Sequence, residues 1–149
     1  MQFYKSDLLQ YISRSISDTD LLEKLTELGL EVDQSKKEKN DLLIKLDLTP
    51  NRGDCFSLIG IARDLCAVNN LKLKLPKYQK QQQNLDSKKT VVINKSACSS
   101  YLGQIIKLKS KGKTPAYIKK TLKAADIGQV NPIVDVTNYV MLHTGQPLH

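Results

Sequence analysis

The stretch from residue 42 to residue 66 constrains the fold most, because three signals follow one another there without a gap. Leu42, Ile44, Leu46 and Leu48 alternate with Leu43, Lys45 and Asp47, the period-two pattern of a strand with one buried face. Thr49-Pro50-Asn51-Arg52-Gly53-Asp54 comes next; it is dense in turn formers and ends the strand. Asp54 is placed to cap a helix in which Cys55, Leu58, Ile59, Ala62, Leu65 and Cys66 share an apolar face. That helix should run to about Val68, where Asn69-Asn70 closes it. A strand and a helix in one module point to an α+β chain.

Upstream, the pattern is that of a helical pair. Leu8, Leu9, Ile12 and Ile16 recur at helical spacing after Ser6, which would cap them. Leu21, Leu22, Leu25 and Leu28 form a second amphipathic stripe. Ser17 or Asp18 can cap that helix, acidic residues crowd its first turn, and Gly29 stands where a left-handed terminator belongs. Glu31-Val32 could start a short strand, interrupted by the polar run Asp33 to Asn40.

Downstream, Pro76, the glutamines 81–83 and several lysines leave too little apolar surface to pack, so 76–89 reads as a linker. Strands are expected at Thr90 to Asn94 and Tyr101 to Leu108. Thr114-Pro115 opens a helix with Ile118 and Leu122 inward, ending near Ala125 before Gly128. Asn131-Pro132 repeats the device for a helix through about Leu142, stopped by Gly145 and Pro147. The expected organisation is thus a small helical domain at 1–75, a linker at 76–89, and a second domain at 90–149.

Charge is unevenly spread. Residues 1–70 hold 9 Lys+Arg and 12 Asp+Glu, whereas residues 71–149 hold 14 and 3, within a net charge of +8. A lopsided basic half suits a polyanion partner, since lysines on phosphates release counterions; a merely solvating lysine surface is the plainer alternative. The three cysteines (Cys55, Cys66 and Cys98) form no CxxC pair and stand far from His143 and His149. That argues against a zinc site, a disulfide framework or a cysteine nucleophile. Cys66 reads as a buried thiol on a helix stripe. No run approaches the roughly 20 apolar residues of a membrane span. The N-terminus shows no secretory signal, and a cytoplasmic location is expected. No phosphate loop, GxSxG elbow, HExxH or defensible carboxylate pair is present. Arg52 and Asp54 read as turn and cap residues, and His143, near a helix C-terminus where positive charge is favoured, needs no ligand.

Two longer segments are more specific. Leu48-Thr-Pro-Asn-Arg-Gly-Asp-Cys55 with Ser57-Leu-Ile-Gly-Ile-Ala-Arg-Asp-Leu65 is one; Ile133-Val-Asp-Val-Thr-Asn-Tyr-Val-Met-Leu-His-Thr-Gly-Gln-Pro-Leu-His149 is the other. Both, in this order, resemble the bacterial phenylalanyl-tRNA synthetase beta subunit. So do Leu28-Gly-Leu-Glu-Val-Asp33, Tyr101-Leu-Gly103 and Thr114-Pro115. Two departures stand out. The family's OB-fold tRNA-binding domain would enter where only Gln34 to Asp41 stand, and eight residues cannot hold a five-stranded barrel. The family also continues beyond the position of His149.

The resemblance implies a mixed α/β editing domain that hydrolyses tyrosine wrongly attached to the phenylalanine tRNA. A pocket for an apolar side chain rejects an added hydroxyl only modestly, so a second, hydrolytic site improves fidelity. By the same resemblance, Thr137, Asn138 and His149 border the editing pocket. Their chemistry suits it: an amide and a hydroxyl to orient an ester, and an imidazole to position water. Spacing alone leaves other readings open, since Thr137 and Asn138 are neighbours about 100° apart on a helix. The resemblance further implies an alpha-subunit partner carrying the aminoacylation site, tRNA as substrate, and ATP and magnesium used by the complex but not bound by this chain. The resemblance also makes 90–149 an incomplete part of that domain, with an unfinished editing site and with strand edges left open by partners that in the family come later in the chain. The rival readings are a non-catalytic RNA-binding or assembly module and, more weakly, a trans-editing hydrolase.

Overall fold

The computed structural model describes residues 1–78, 96–97, 99, 108, 110 and 112–148. The expected strands at 90–94 and 101–108 lie outside the described residues apart from Leu108, which is exposed. Met1–Pro76 and the chain from Gly112 onward form one compact unit, while Lys77–Lys111 group apart. The chain thus leaves this unit after Pro76 and rejoins it at Gly112.

That unit contains a three-stranded antiparallel sheet of order β1-β3-β2, from β1 (Gln2–Tyr4), β2 (Glu31–Glu38) and β3 (Asp41–Asp47). The central strand β3 follows the alternation in the sequence: Leu42, Ile44 and Leu46 point inward, and Lys45 and Asp47 outward. β1 pairs with it in the register Gln2↔Lys45, Phe3↔Ile44, Tyr4↔Leu43. β2 is continuous across the polar run expected to break it, with a bulge between Val32 and Gln34. It tolerates that composition because it is an edge strand lying almost wholly in solvent, where backbone pairing rather than burial holds it. Gln34 to Asp41 is therefore the outer half of a hairpin closed by Lys39-Asn40.

The helices α1 (Lys5–Leu9), α2 (Asp18–Glu27) and α3 (Leu58–Val68) cover the sheet and its flank. α1 is a single turn instead of the long helix the leucine spacing predicts. Ser6 does not cap it; its N–H and hydroxyl donate to Asp41, 3.1 and 2.5 Å away. Ile12 instead bridges to Leu73 in extended backbone. α2 is as expected, with the Ser17 hydroxyl accepting from Asp20 N–H at 3.1 Å and Gly29 at φ +74°. α3 begins later than expected, because Gly53–Cys55 make a 3-10 turn and Ser57, not Asp54, caps the helix through Gly60 N–H. Phe3, Leu8, Leu21, Leu25, Leu30, Ile44, Leu58 and Leu65 are fully buried in one core. Each contributes about 1.5–3 kcal/mol by leaving water.

Two further helices complete the unit: α4 (Ala116–Ala124), with Pro115 at the cap position, and α5 (Pro132–Thr144). Ile118 and Leu122 of α4 are buried as their spacing requires. Polar contacts, several of them buried, tie this pair to the N-terminal residues. The Thr121 hydroxyl donates to Asp7 at 2.9 Å, and Lys120 reaches Asp41 at 2.6 Å.

Candidate functional site

α5 carries the residues singled out by the sequence, and both its ends are fixed. At the start, the Asn131 side chain accepts from the N–H groups of Ile133 and Val134 at 3.0 and 3.1 Å. Asp135, in the first turn, is almost fully buried and accepts from the Thr114 hydroxyl and from Val130 N–H at 3.0 Å. These hydrogen bonds, Thr114's foremost, hold its carboxyl below the usual range. The entry to α4 is thereby tied to the entry to α5.

At the other end, His143 is only 2% exposed, and its Nδ1 lies 2.5 Å from the Tyr11 hydroxyl. Burial pushes the imidazole down to about 4 and the Tyr11 phenol up to about 12. Both groups are therefore neutral at pH 7. The two share one hydrogen bond, whose direction follows the imidazole tautomer, and Nε2 has no hydrogen-bond partner among the described residues. The favourable positive charge expected at this helix end is thus not realised: desolvation outweighs the helix dipole. The His143 ring packs on Tyr139, with centroids 4.0 Å apart.

Between these anchors stand Thr137 and Asn138, both half-buried. The Thr137 hydroxyl donates to Val134 carbonyl at 2.9 Å, within its own helix. The Asn138 amide makes no hydrogen bond to a described residue. His149 lies outside the described residues, so the three are not brought together in what the structure describes.

A cleft lies elsewhere, between the β2–β3 turn and α4. Its volume is about 810 Å³, and its lining includes Lys39, Lys119, Lys120 and Lys123. Sequence reasoning did not find it. Lys119 and Lys123 are spaced to share a helix face, but nothing local to either brings the hairpin turn against them.

Arg52 organises a third cluster. Its guanidinium donates to Asp54 at 3.1 Å from both Nε and Nη2, to Cys55 Sγ at 2.8 Å, to Asp64, and to Leu28 carbonyl at 3.4 Å. The arginine holds the Asp54 carboxyl down to about 2, while burial pushes the Cys55 thiol up to about 12. Ligand atoms of Asp54, Cys55 and Asp64 lie within 4.8 Å of one another, close enough for a metal ion. The guanidinium already supplies the positive charge there, and a thiol this reluctant to ionise is a poor ligand, so these residues do not fit magnesium. Arg52 thus pairs within its own turn and with α3. Cys66 is buried on α3, as its stripe implied.

Comparison with known proteins places the chain among relatives. Residues 97–149 match the B3/4 domain family. The chain is 39% identical over 145 residues, 95% of its length, to a phenylalanine–tRNA ligase beta subunit of Rhodopirellula baltica, and covers 21% of that protein. It is 44% identical to the corresponding subunit of Francisella tularensis over 112 residues, 74% of this chain and 14% of that one. The chain thus spans about a fifth or less of the length of these curated relatives. Among solved structures, an N-terminal fragment of the phenylalanyl-tRNA synthetase beta-subunit from Pyrococcus horikoshii matches with 31% identity and a TM-score of 0.42, over 56% of this chain and 24% of that one. No helix of the described residues is long and apolar enough to cross a membrane.

Proposed function

Because the chain belongs by sequence with the phenylalanine–tRNA ligase beta subunits, we propose that it serves as part of such a subunit and works with an alpha subunit in ATP-dependent charging of tRNA with phenylalanine. The observation that carries this reading is 39% identity sustained over 95% of the chain. Activation of phenylalanine, with its ATP and magnesium, belongs to the alpha subunit in this proposal. No step of it runs through the residues described above. The location is the cytoplasm, with the rest of the charging machinery.

The second element of the proposal is editing. Residues 90–149, which include the matched B3/4 segment, form the beginning of a domain that hydrolyses tyrosyl-tRNA. Thr137, Asn138 and His149 contribute to its pocket. In the reaction, water adds to the ester carbonyl carbon, the bond to the ribose oxygen breaks, and that oxygen takes a proton. The Asn138 amide is suited to orienting the ester or the ribose end, and an imidazole at 149 to positioning the water. α5 supports the role by its rigidity: anchored through Asp135 and His143, it can hold the Asn138 amide without reorganisation.

The test uses the whole alpha–beta enzyme. Asn138→Ala should slow deacylation of tyrosine-charged phenylalanine tRNA about tenfold to a hundredfold, the loss expected from one charge-orienting hydrogen bond. The chain should also copurify with the alpha subunit on co-expression. Unchanged deacylation in both Asn138→Ala and His149→Ala enzymes sinks the editing assignment. A non-catalytic RNA-binding module is the second reading, favoured by the 14 basic against 3 acidic residues beyond residue 70. It gains if the chain binds tRNA but never associates with an alpha subunit.

A further inference from the structure

We propose that the cleft between the β2–β3 turn and α4 seats the phosphate backbone of an RNA strand. The inference rests on reading the chain as part of a tRNA-charging enzyme, and it assigns a contact surface within that reading.

Two elements present the charge. Lys39 stands on the turn, held at φ +54°, and Lys119 and Lys123 lie one helical turn apart on α4. None of these three forms an ion pair with a described residue. Lys120 is committed: its ammonium is 2.6 Å from Asp41, 3.1 Å from the Ser6 hydroxyl and 4.4 Å from the Tyr4 ring centroid.

The carboxylates of the lining are Glu38, Asp41 and Asp126. Glu38 accepts from the Tyr4 hydroxyl at 2.9 Å and pairs with Lys36 at 3.2 Å, and Asp41 is taken by Lys120 and Ser6. Lys119 acts on Asp135 and Lys123 on Glu38 only at longer range, without a close ion pair, so the four lysines of the lining outnumber its three carboxylates and three of them keep their ammonium groups outside any close pair among the described residues. The cleft, at about 810 Å³, has room for more than an isolated phosphate ion.

The lining also discriminates between partners. Its apolar side chains are essentially Ala116 and Ile127, too few for the desolvated centre of a protein interface. The Tyr4 ring is 8% exposed and covered by Lys120, so it offers no stacking platform for a base. What remains is a set of separated point charges with no arginine fork, suited to successive phosphates and indifferent to sequence.

The experiment titrates the 149-residue chain against unmodified tRNA by fluorescence anisotropy over a range of salt concentrations. The triple variant Lys39→Gln/Lys119→Gln/Lys123→Gln should lower the slope of log affinity against log salt by about 2–3, since each lost phosphate contact removes about 0.7–0.9. A control triple, Lys24→Gln/Lys72→Gln/Lys74→Gln, should lower it by less than about 1. Arginine at positions 39, 119 and 123 should restore the slope, separating loss of charge from misfolding. Equal falls in the two glutamine triples, or none in the first, overturn the assignment while leaving the ligase reading in place. So does a chain that copurifies with the alpha subunit yet does not bind tRNA. A glutamate-rich peptide that binds as tightly as tRNA and is lost in the same variant would give the cleft to an acidic protein and overturn it as well.

Discussion

At the scale of single residues, His143 shows how burial overrides a local preference. Its imidazole is held down to about 4, whereas an unfolded histidine titrates near 6.5. Between those values the unfolded chain binds the extra proton, so stability is complete above about pH 6.5 and falls as the pH drops toward 4. The loss is on the order of 3 kcal/mol. Asp7, whose carboxyl burial holds above its usual range, acts in the opposite sense at lower pH by taking up a proton in the folded state. Urea unfolding at pH 7.5 and pH 5 should therefore show a marked drop for the wild type and a much smaller one for His143→Asn. Gly60 is a second residue-scale case: a Cβ there would run into the Asp54 carbonyl. Gly60→Ala should cost about 1–3 kcal/mol by overpacking against backbone that cannot yield, a loss visible as a lower urea midpoint.

At the scale of elements, caps and terminators were legible because their chemistry is local. Ser17, Asn131, Gly29 and Gly145 act within a few residues of the helix they bound. Gly29→Ala forces a side chain into the left-handed region at φ +74° and should cost about 1–2 kcal/mol, readable as a lower thermal midpoint. The elements misread from sequence fail for the converse reason. β1 exists only because Gln2 to Tyr4 find Lys45 to Leu43, some forty residues on. β2 carries no apolar alternation because neither of its faces is buried along most of its length. α1 stops after one turn because Ile12 is drawn to Leu73 and Ser6 to Asp41. Asp54 serves Arg52 instead of α3 because a guanidinium is a stronger partner for a carboxylate than a helix N–H.

At the scale of the whole molecule, the apolar core among the described residues is made by residues before Leu75, whereas α4 and α5 add Ile118, Leu122 and Ala124 and dock through polar groups. A fragment of residues 1–76 should therefore fold cooperatively, if marginally for its size. A peptide of residues 112–148 should not fold alone. Far-ultraviolet circular dichroism with thermal melting of each checks this, and a structured 112–148 peptide would contradict it.

The candidate site divides in the same way. Asn138 and Thr137 were singled out through a contiguous motif, whereas Arg52 was read only as a turn residue, its partners ranging from Asp54 beside it to the Leu28 carbonyl 24 residues away. The lysine cleft was invisible, because Lys39 and Lys119 meet only after α4 has returned to the hairpin. The amino-acid sequence by itself determined the helix boundaries set by caps, the central strand, the basic bias of the second half and the kinship with the ligase subunits. Each of these is written in neighbouring residues or in an uninterrupted string of them. The tertiary structure alone decided which strands pair, that His143 is neutral, and which lysines face one opening. Those depend on desolvation and on distances between residues far apart in the chain, and neither is encoded in any local pattern.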